Sequence, residues 1–85
     1  ELKAAAQPEL DIRGMAVDEA LPVLDNFLDA AYMGNLPNAR IIHGKGTGVL
    51  RAAVQDELRR CKYVKSFRLG VYGEGESGVT IVEFK

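Results

Sequence analysis

From Glu9 to Gly14 the chain alternates: Leu10 and Ile12 point one way, Glu9, Asp11 and Arg13 the other, and this period of two predicts a strand. From Val17 the period changes. Ala20, Leu21, Leu24, Leu28, Ala31 and Tyr32 recur at three and four, with Asp18, Glu19, Asp25 and Asp29 largely off that stripe. The spacing predicts an amphipathic helix to Met33, stopped by Gly34-Asn35. Pro22 lies in its first turn if Asp18 is the cap and kinks it otherwise. Ala39 to His43 predicts a second strand, whose Ile41-Ile42 pair suits a position covered on both faces. Leu50, Ala53, Val54, Leu58 and Cys61 mark a second helix from Gly48 to Arg60. Two further strands, Val64 to Val71 and Val79 to Phe84, are joined by the glycine-rich loop 73–78 as a hairpin. The order β-α-β-α-β-β predicts an α/β two-layer sandwich: two helices on a mixed four-stranded sheet, the early strands parallel through right-handed crossovers and the last antiparallel.

Composition narrows the class. Eighty-five residues make one small domain, able to bury only about 60 to 65 % of its unfolded surface. With 47 % apolar and 27 % charged residues it is neither disordered nor membranous, and no apolar run approaches the roughly 18 residues of a spanning helix. The single cysteine, Cys61, can form neither an internal disulfide nor a zinc site, which points to a reducing, cytoplasmic setting. The chain begins with Glu, and the alanine-rich stretch before Pro8 reads as a linker remnant, residues 1–8, from a longer protein, ahead of a domain at 9–85. Net charge is −1, but it is unevenly spread: −5 over residues 1–39, +6 over 40–68 and −2 over 69–85. Such asymmetry suggests an electropositive region facing an anion, unless folding mixes the charges.

The residues with chemistry gather at one turn. Glycines 44, 46 and 48 let successive amides point into one concavity at a helix N-terminus, a place suited to phosphate, and Lys45 and Arg51 can reach the same anion. Neither a P-loop nor a dinucleotide motif is formed there. A literal G-x-G-x-x-G at Gly73, Gly75 and Gly78 precedes a strand rather than a helix and carries Glu74 and Glu76, so it reads as a hairpin loop. His43 is the one side chain whose ordinary pKa suits proton transfer at neutral pH. A lone histidine at a strand end is more often structural, but ligands of open α/β sheets gather beyond the carboxyl ends of parallel strands, where both Arg13-Gly14 and His43-Gly44 lie. Neighbouring strands would bring Asp11, Arg13, His43 and Lys45 together round a phosphate-sized hollow, the parts needed for phosphodiester cleavage. The plainer alternative for Asp11 and Arg13 is a solvent-facing ion pair.

The segments LDIRG (10–14), HGKGTG (43–48) and ESGVTIVEFK (76–85) resemble the Smr, or small MutS-related, domain, most of all the version at the C-terminus of bacterial MutS-two proteins. The resemblance covers about residues 9–85. It implies a fold similar to the C-terminal domain of bacterial translation initiation factor three, and nucleic-acid endonuclease activity centred on Asp11, Arg13, His43, Gly44, Lys45 and Gly46. Many eukaryotic relatives have histidine where this chain has Arg13, so a scheme using that histidine as a proton carrier cannot apply here. MutS-two proteins are associated with suppressing homologous recombination by nicking branched DNA, and with rescue of collided ribosomes, where Smr relatives cleave messenger RNA. ATP would belong to the parent protein's separate ATPase domain, and homodimerisation to its other domains.

The expected function is a DNA-nicking endonuclease with little sequence specificity, since phosphate contact carries no sequence information. Gly44, Gly46, Thr47 and Gly48 with Lys45 and Arg51 would seat the backbone, His43 would act as general base or acid, Arg13 would stabilise charge, and Asp11 would orient a partner or bind a metal. Only Glu9 and Asp11 share a strand face there, so no tightly bound cofactor or metal is expected, while dependence on Mg or Mn stays open. The rivals are an RNA-cleaving or non-cleaving module that binds RNA or the ribosome, and a dimerisation domain, which would need an exposed apolar patch.

Overall fold

The computed structural model describes residues 8–46, 48–71 and 76–85. Six elements follow in the expected order: β1 (Glu9–Asp11), α1 (Val17–Met33), β2 (Asn38–Ile42), α2 (Val49–Arg60), β3 (Val64–Leu69) and β4 (Val79–Phe84). The sheet order is β1-β2-β4-β3. β1 runs parallel to β2, with Asp11 opposite Ile42, while β4 is antiparallel to both β2 and β3. The last strand thus enters the middle of the sheet, and β3 forms an edge.

Both helices cover one face. Ile12, Leu24, Leu28, Ile41, Val54, Leu58 and Val82 are fully buried between the layers, as the two apolar stripes require. No helix among the described residues covers the other face, where Ile42 is only half-buried, and the expectation of a pair covered on both sides is corrected. Alternation along β2 is that of a one-sided strand: Ala39 and Ile41 are buried, Arg40 and Ile42 are not.

Element ends differ from the sequence pattern where the backbone finds other partners. β1 stops at Asp11, although the Ile12 N–H still donates to the Ile42 carbonyl at 2.9 Å, and the chain then turns through Gly14 at φ 82°. β3 ends at Leu69 and shifts register between Val64 and Ser66. The cap of α1 is Ala16 rather than Asp18; it has no side-chain oxygen, and the Glu19 carboxylate instead accepts the Ala16 N–H at 3.2 Å. Pro22 therefore lies inside the helix, beyond its first turn. At the other end Asn35, not Gly34, takes the left-handed conformation, φ 61°. Among the described residues no helix is long and apolar enough to cross a membrane.

Candidate functional site

Strand parity decides what meets at the tips of β1 and β2. Ala39 and Ile41 point to the helices and the next residue of that parity is His43, 5 % exposed; Glu9, Asp11 and Arg13 belong to the open face. There Glu9 accepts a hydrogen bond from Arg40 at 3.0 Å. Arg13 clasps Asp11: its Nε–H donates to Oδ1 at 3.0 Å, its Nη2–H to Oδ2 at 2.6 Å, and its backbone N–H to Oδ1 at 3.1 Å. These bonds hold the Asp11 carboxyl below its usual range, so it is ionised at neutral pH. Asp11, Arg13 and His43 accordingly do not ring one hollow; the carboxylate and its arginine lie on one side of the sheet and the imidazole on the other.

His43 is held at both ring nitrogens. The Gly44 carbonyl, 3.0 Å from Nδ1, can only accept, so Nδ1 carries the proton; Nε2 then accepts from the Thr80 hydroxyl at 2.8 Å. Thr80 is fully buried. Burial lowers the imidazole pKa, the nearby Arg51 charge adds to this and the Gly44 bond opposes it; the ring is neutral at pH 7. Neither nitrogen is left for a substrate in this arrangement. The backbone is tied down as well, the Gly78 carbonyl accepting N–H bonds from His43 at 3.1 Å and Gly44 at 2.9 Å. A side chain on Gly78 would come within 3.3 Å of Lys45 Cγ, so the Glu76–Gly78 turn packs tightly on the 43–45 corner.

The glycine turn has the geometry its composition suggests. Gly44 and Gly48 adopt φ 83° and 86°, which other residues rarely take. Behind Gly48, α2 begins with no side-chain cap and no acidic residue in its first turn, which instead holds Arg51. Acidic side chains there would each contribute about 0.3–1 kcal/mol against the helix dipole, so the arrangement forgoes stability and keeps the helix end open to an anion. Arg51 reaches back over Gly48, where an added Cβ would lie 3.0 Å from its Nη2, and it makes no ion pair among the described residues. The α1 N-terminus is the opposite case, with Asp18 and Glu19 in its first turn. Between the two helix starts lies a cleft of about 280 Å³, with His43, Lys45 and Arg51 on one side and Met15, Val17, Val49 and Leu50 completing it.

The structure therefore gathers His43, Gly44, Lys45, Gly46, Gly48 and Arg51 around this cleft. Asp11 and Arg13 stand behind the turn, linked to it by the arginine stem: a Cβ on Gly44 would sit 3.4 Å from Arg13 Cγ. Thr47, Gly73, Glu74, Gly75 and residues 1–7 lie outside the described residues. Thr80 and Gly78, which fix the histidine, were not legible without the β2–β4 register. No group of three or more His, Cys, Asp or Glu that could hold a metal ion occurs among the described residues, and the Asp11 carboxylate is engaged by Arg13.

The Smr domain family model matches residues 10–85. The chain belongs to the Smr domain family. It is 59 % identical over 78 residues to the endonuclease MutS2 of Lachnoclostridium phytofermentans, covering 92 % of this chain and 10 % of that protein. With the endonuclease MutS2 of Caldanaerobacter subterraneus it shares 54 % over 83 residues, 98 % of this chain and again 10 % of the relative. The Smr chain thus spans about a tenth of these relatives' length. Among solved structures it matches the Smr domain of Thermus thermophilus MutS2 with a TM-score of 0.89 at 46 % identity, over 92 % of this chain and 98 % of that one. YdaL, a stand-alone small MutS-related protein of Escherichia coli, matches with a TM-score of 0.88 at 25 % identity, over 99 % and 71 % of the two chains. The two-helix, four-stranded mixed sheet is the Smr fold.

Proposed function

We propose that this Smr domain is a nucleic-acid endonuclease module that nicks DNA by phosphodiester hydrolysis with little sequence preference. The observation that carries the proposal is the α2 N-terminus, capped by a glycine with no side chain, where an arginine occupies the turn that acidic residues usually fill, next to Lys45 and the glycine turn. The MutS2 relatives' name, endonuclease, supports the reaction class. Turn amides, Lys45 and Arg51 seat one phosphate. Arg13, oriented by Asp11, meets the backbone from the open-face side of Gly44 and stabilises charge as water attacks phosphorus, the P–O bond breaks, and the proton lost by the water passes through solvent to the leaving oxygen. His43 sets the turn's shape through Gly44 and Thr80, a positioning role in place of direct proton transfer. Suppression of recombination, a cytoplasmic setting and dimerisation belong to the parent protein in this proposal.

The experiment incubates the domain with supercoiled plasmid and, separately, with a structured RNA, comparing wild type with Arg13→Ala, Lys45→Ala, Arg51→Ala and Asp11→Ala. Nicking of plasmid by wild type, lost in Arg13→Ala and Asp11→Ala while binding persists, is the expected result. Binding without nicking by contaminant-free wild type overturns the enzyme in favour of a binding module, and cleavage of RNA alone overturns DNA as substrate.

A further inference from the structure

Four large hydrophobic side chains stand exposed among the described residues, and two of them, Met15 at 37 % and Val49 at 62 %, line the same cleft beside the proposed phosphate seat. Local structure does not require them there. Valine is a mediocre helix former at an exposed helix start, and Met15 sits in the turn before α1, so both leave apolar surface in water that a small domain would otherwise cover. We infer, resting on the nucleic-acid function proposed above, that the cleft between the α1 and α2 N-termini seats one unpaired nucleobase of the strand whose phosphate lies beside Lys45, Gly48 and Arg51.

Size, chemistry and charge agree on this occupant. At about 280 Å³ the cleft falls at the lower edge of small-molecule sites, room for a single heterocycle rather than two. Apolar walls come from Met15, Val17, Val49 and Leu50, while Arg51 supplies the planar cation on which bases stack when no aromatic is at hand. The methionine thioether is a second polarisable face for a ring. His43 is the buried polar side chain at the cleft, and both its nitrogens are engaged within the protein, so the imidazole has no spare hydrogen bond for a base edge, while the donors of Lys45 and Arg51 are assigned to the phosphate. The site is thereby selective for a base that is out of the stack and indifferent to which base it is. Charge complementarity fixes the polarity: the phosphate belongs with Arg51 and the open α2 terminus, because Asp18 and Glu19 occupy the start of α1. A base paired within intact duplex cannot enter, so the cleft distinguishes an extrahelical base from a paired one.

Three labelled DNA hairpins test this by fluorescence anisotropy: one with a single extrahelical thymine, one with an abasic spacer at that position, and one uninterrupted. Wild type binds the extrahelical-base hairpin at least about fivefold more tightly than the abasic one, the effect of one stacking contact, and replacing the thymine by adenine leaves the ratio in place. Val49→Ser and Met15→Ala bring the ratio towards one; both positions are exposed, circular dichroism verifies folding, and either variant suffices. A wild-type ratio of one with binding retained, or a ratio undiminished in folded variants, overturns the base site alone. Failure of wild type to bind any hairpin removes the nucleic-acid function and this inference with it.

Discussion

His43 owes its state to two short bonds and to burial, and its titration exposes that state. In the unfolded chain the imidazole takes a proton near pH 6.5, whereas in the folded domain its pKa is depressed by burial first and by Arg51 second. Above 6.5 both states hold a neutral ring and no pH dependence arises. Below 6.5 the unfolded state binds the extra proton, so the histidine's contribution to stability declines as pH falls. Replacing it by leucine leaves the Gly44 carbonyl and the Thr80 hydroxyl without their partner, expected to cost about 1–3 kcal/mol at pH 7.5. Urea unfolding should show the gap between wild type and His43→Leu narrowing at pH 5.5; a constant gap would refute the neutral buried ring. Gly48→Ala is a second single-site case. Its Cβ meets only the far end of Arg51, which can move, but φ 86° strains alanine by about 1–2 kcal/mol, and displacing the guanidinium weakens nucleic-acid binding in the same variant. The glycines at 44 and 48 were legible as backbone necessities. So, in principle, was the side of His43: Ile41 is core, and two residues on the parity repeats. What hid it was the bonding that replaces solvent, which depends on Thr80 some 37 positions away.

At the level of elements, each helix end records a different requirement. The last turn of α2 carries Arg59 and Arg60, which complement the dipole and pair with Asp56 and Glu57, while its first turn runs against the dipole. Arg51→Glu should therefore raise thermal stability modestly, by about 0.3–1 kcal/mol, and abolish plasmid nicking; a variant that loses stability would remove the argument that the turn is kept open for an anion. Between the helices, the Asp25 carboxyl is pushed up to about 6, by burial first and then by the Glu57 contact, whereas Glu57 is lowered through its bonds to Asp25 and Arg60. The contribution of a raised carboxyl is fully present below its unfolded pKa, 3.8, and is lost as pH rises through its folded value, so Asp25→Asn is expected to stabilise at pH 8, by a few tenths of a kcal/mol given its exposure, and to make little difference at pH 3, where both states of wild type are protonated. Denaturant midpoints at the two pH values measure it. The periodicities located the helices and β1 and β2 by the single stripe each buries, while β4, buried at Val79, Thr80, Ile81 and Val82 alike, showed as an apolar run bounded by the glycine loop. They could not show β4 inserted between β2 and β3, since order within a sheet depends on which edge is free when the last strand arrives. Nor could they reveal that both helices pack on the same sheet face among the described residues.

Across the whole molecule, folding leaves most of the charge that the sequence segregates in place. Of the basic stretch from 40 to 68, Arg59 and Arg60 pair with acids of the same stretch and only Arg40 is joined to an acid from outside it, Glu9, while Lys62, Lys65 and Arg68 are exposed. Arg51 and Lys45 line the cleft, with Arg13 behind the turn. The domain thus keeps basic surface although its net charge is −1, and the proposed phosphate seat uses only the part of it at the strand tips. Such a footprint has a countable signature. Three phosphate contacts release about three counterions from duplex DNA, giving a slope near −2.7 for log affinity against log salt, and near −2 for a single strand. Removing one contact, as in Lys45→Ala or Arg51→Ala, should reduce the slope by about one whatever the sequence, whereas Arg60→Ala, on the far end of α2 beside Glu57, should leave it unchanged. A slope several units steeper would place the interface on a wider basic surface than the tips provide. A slope near zero would mean that the tips hold no phosphate, and the open helix start would then need another anion to explain why its first turn bears an arginine.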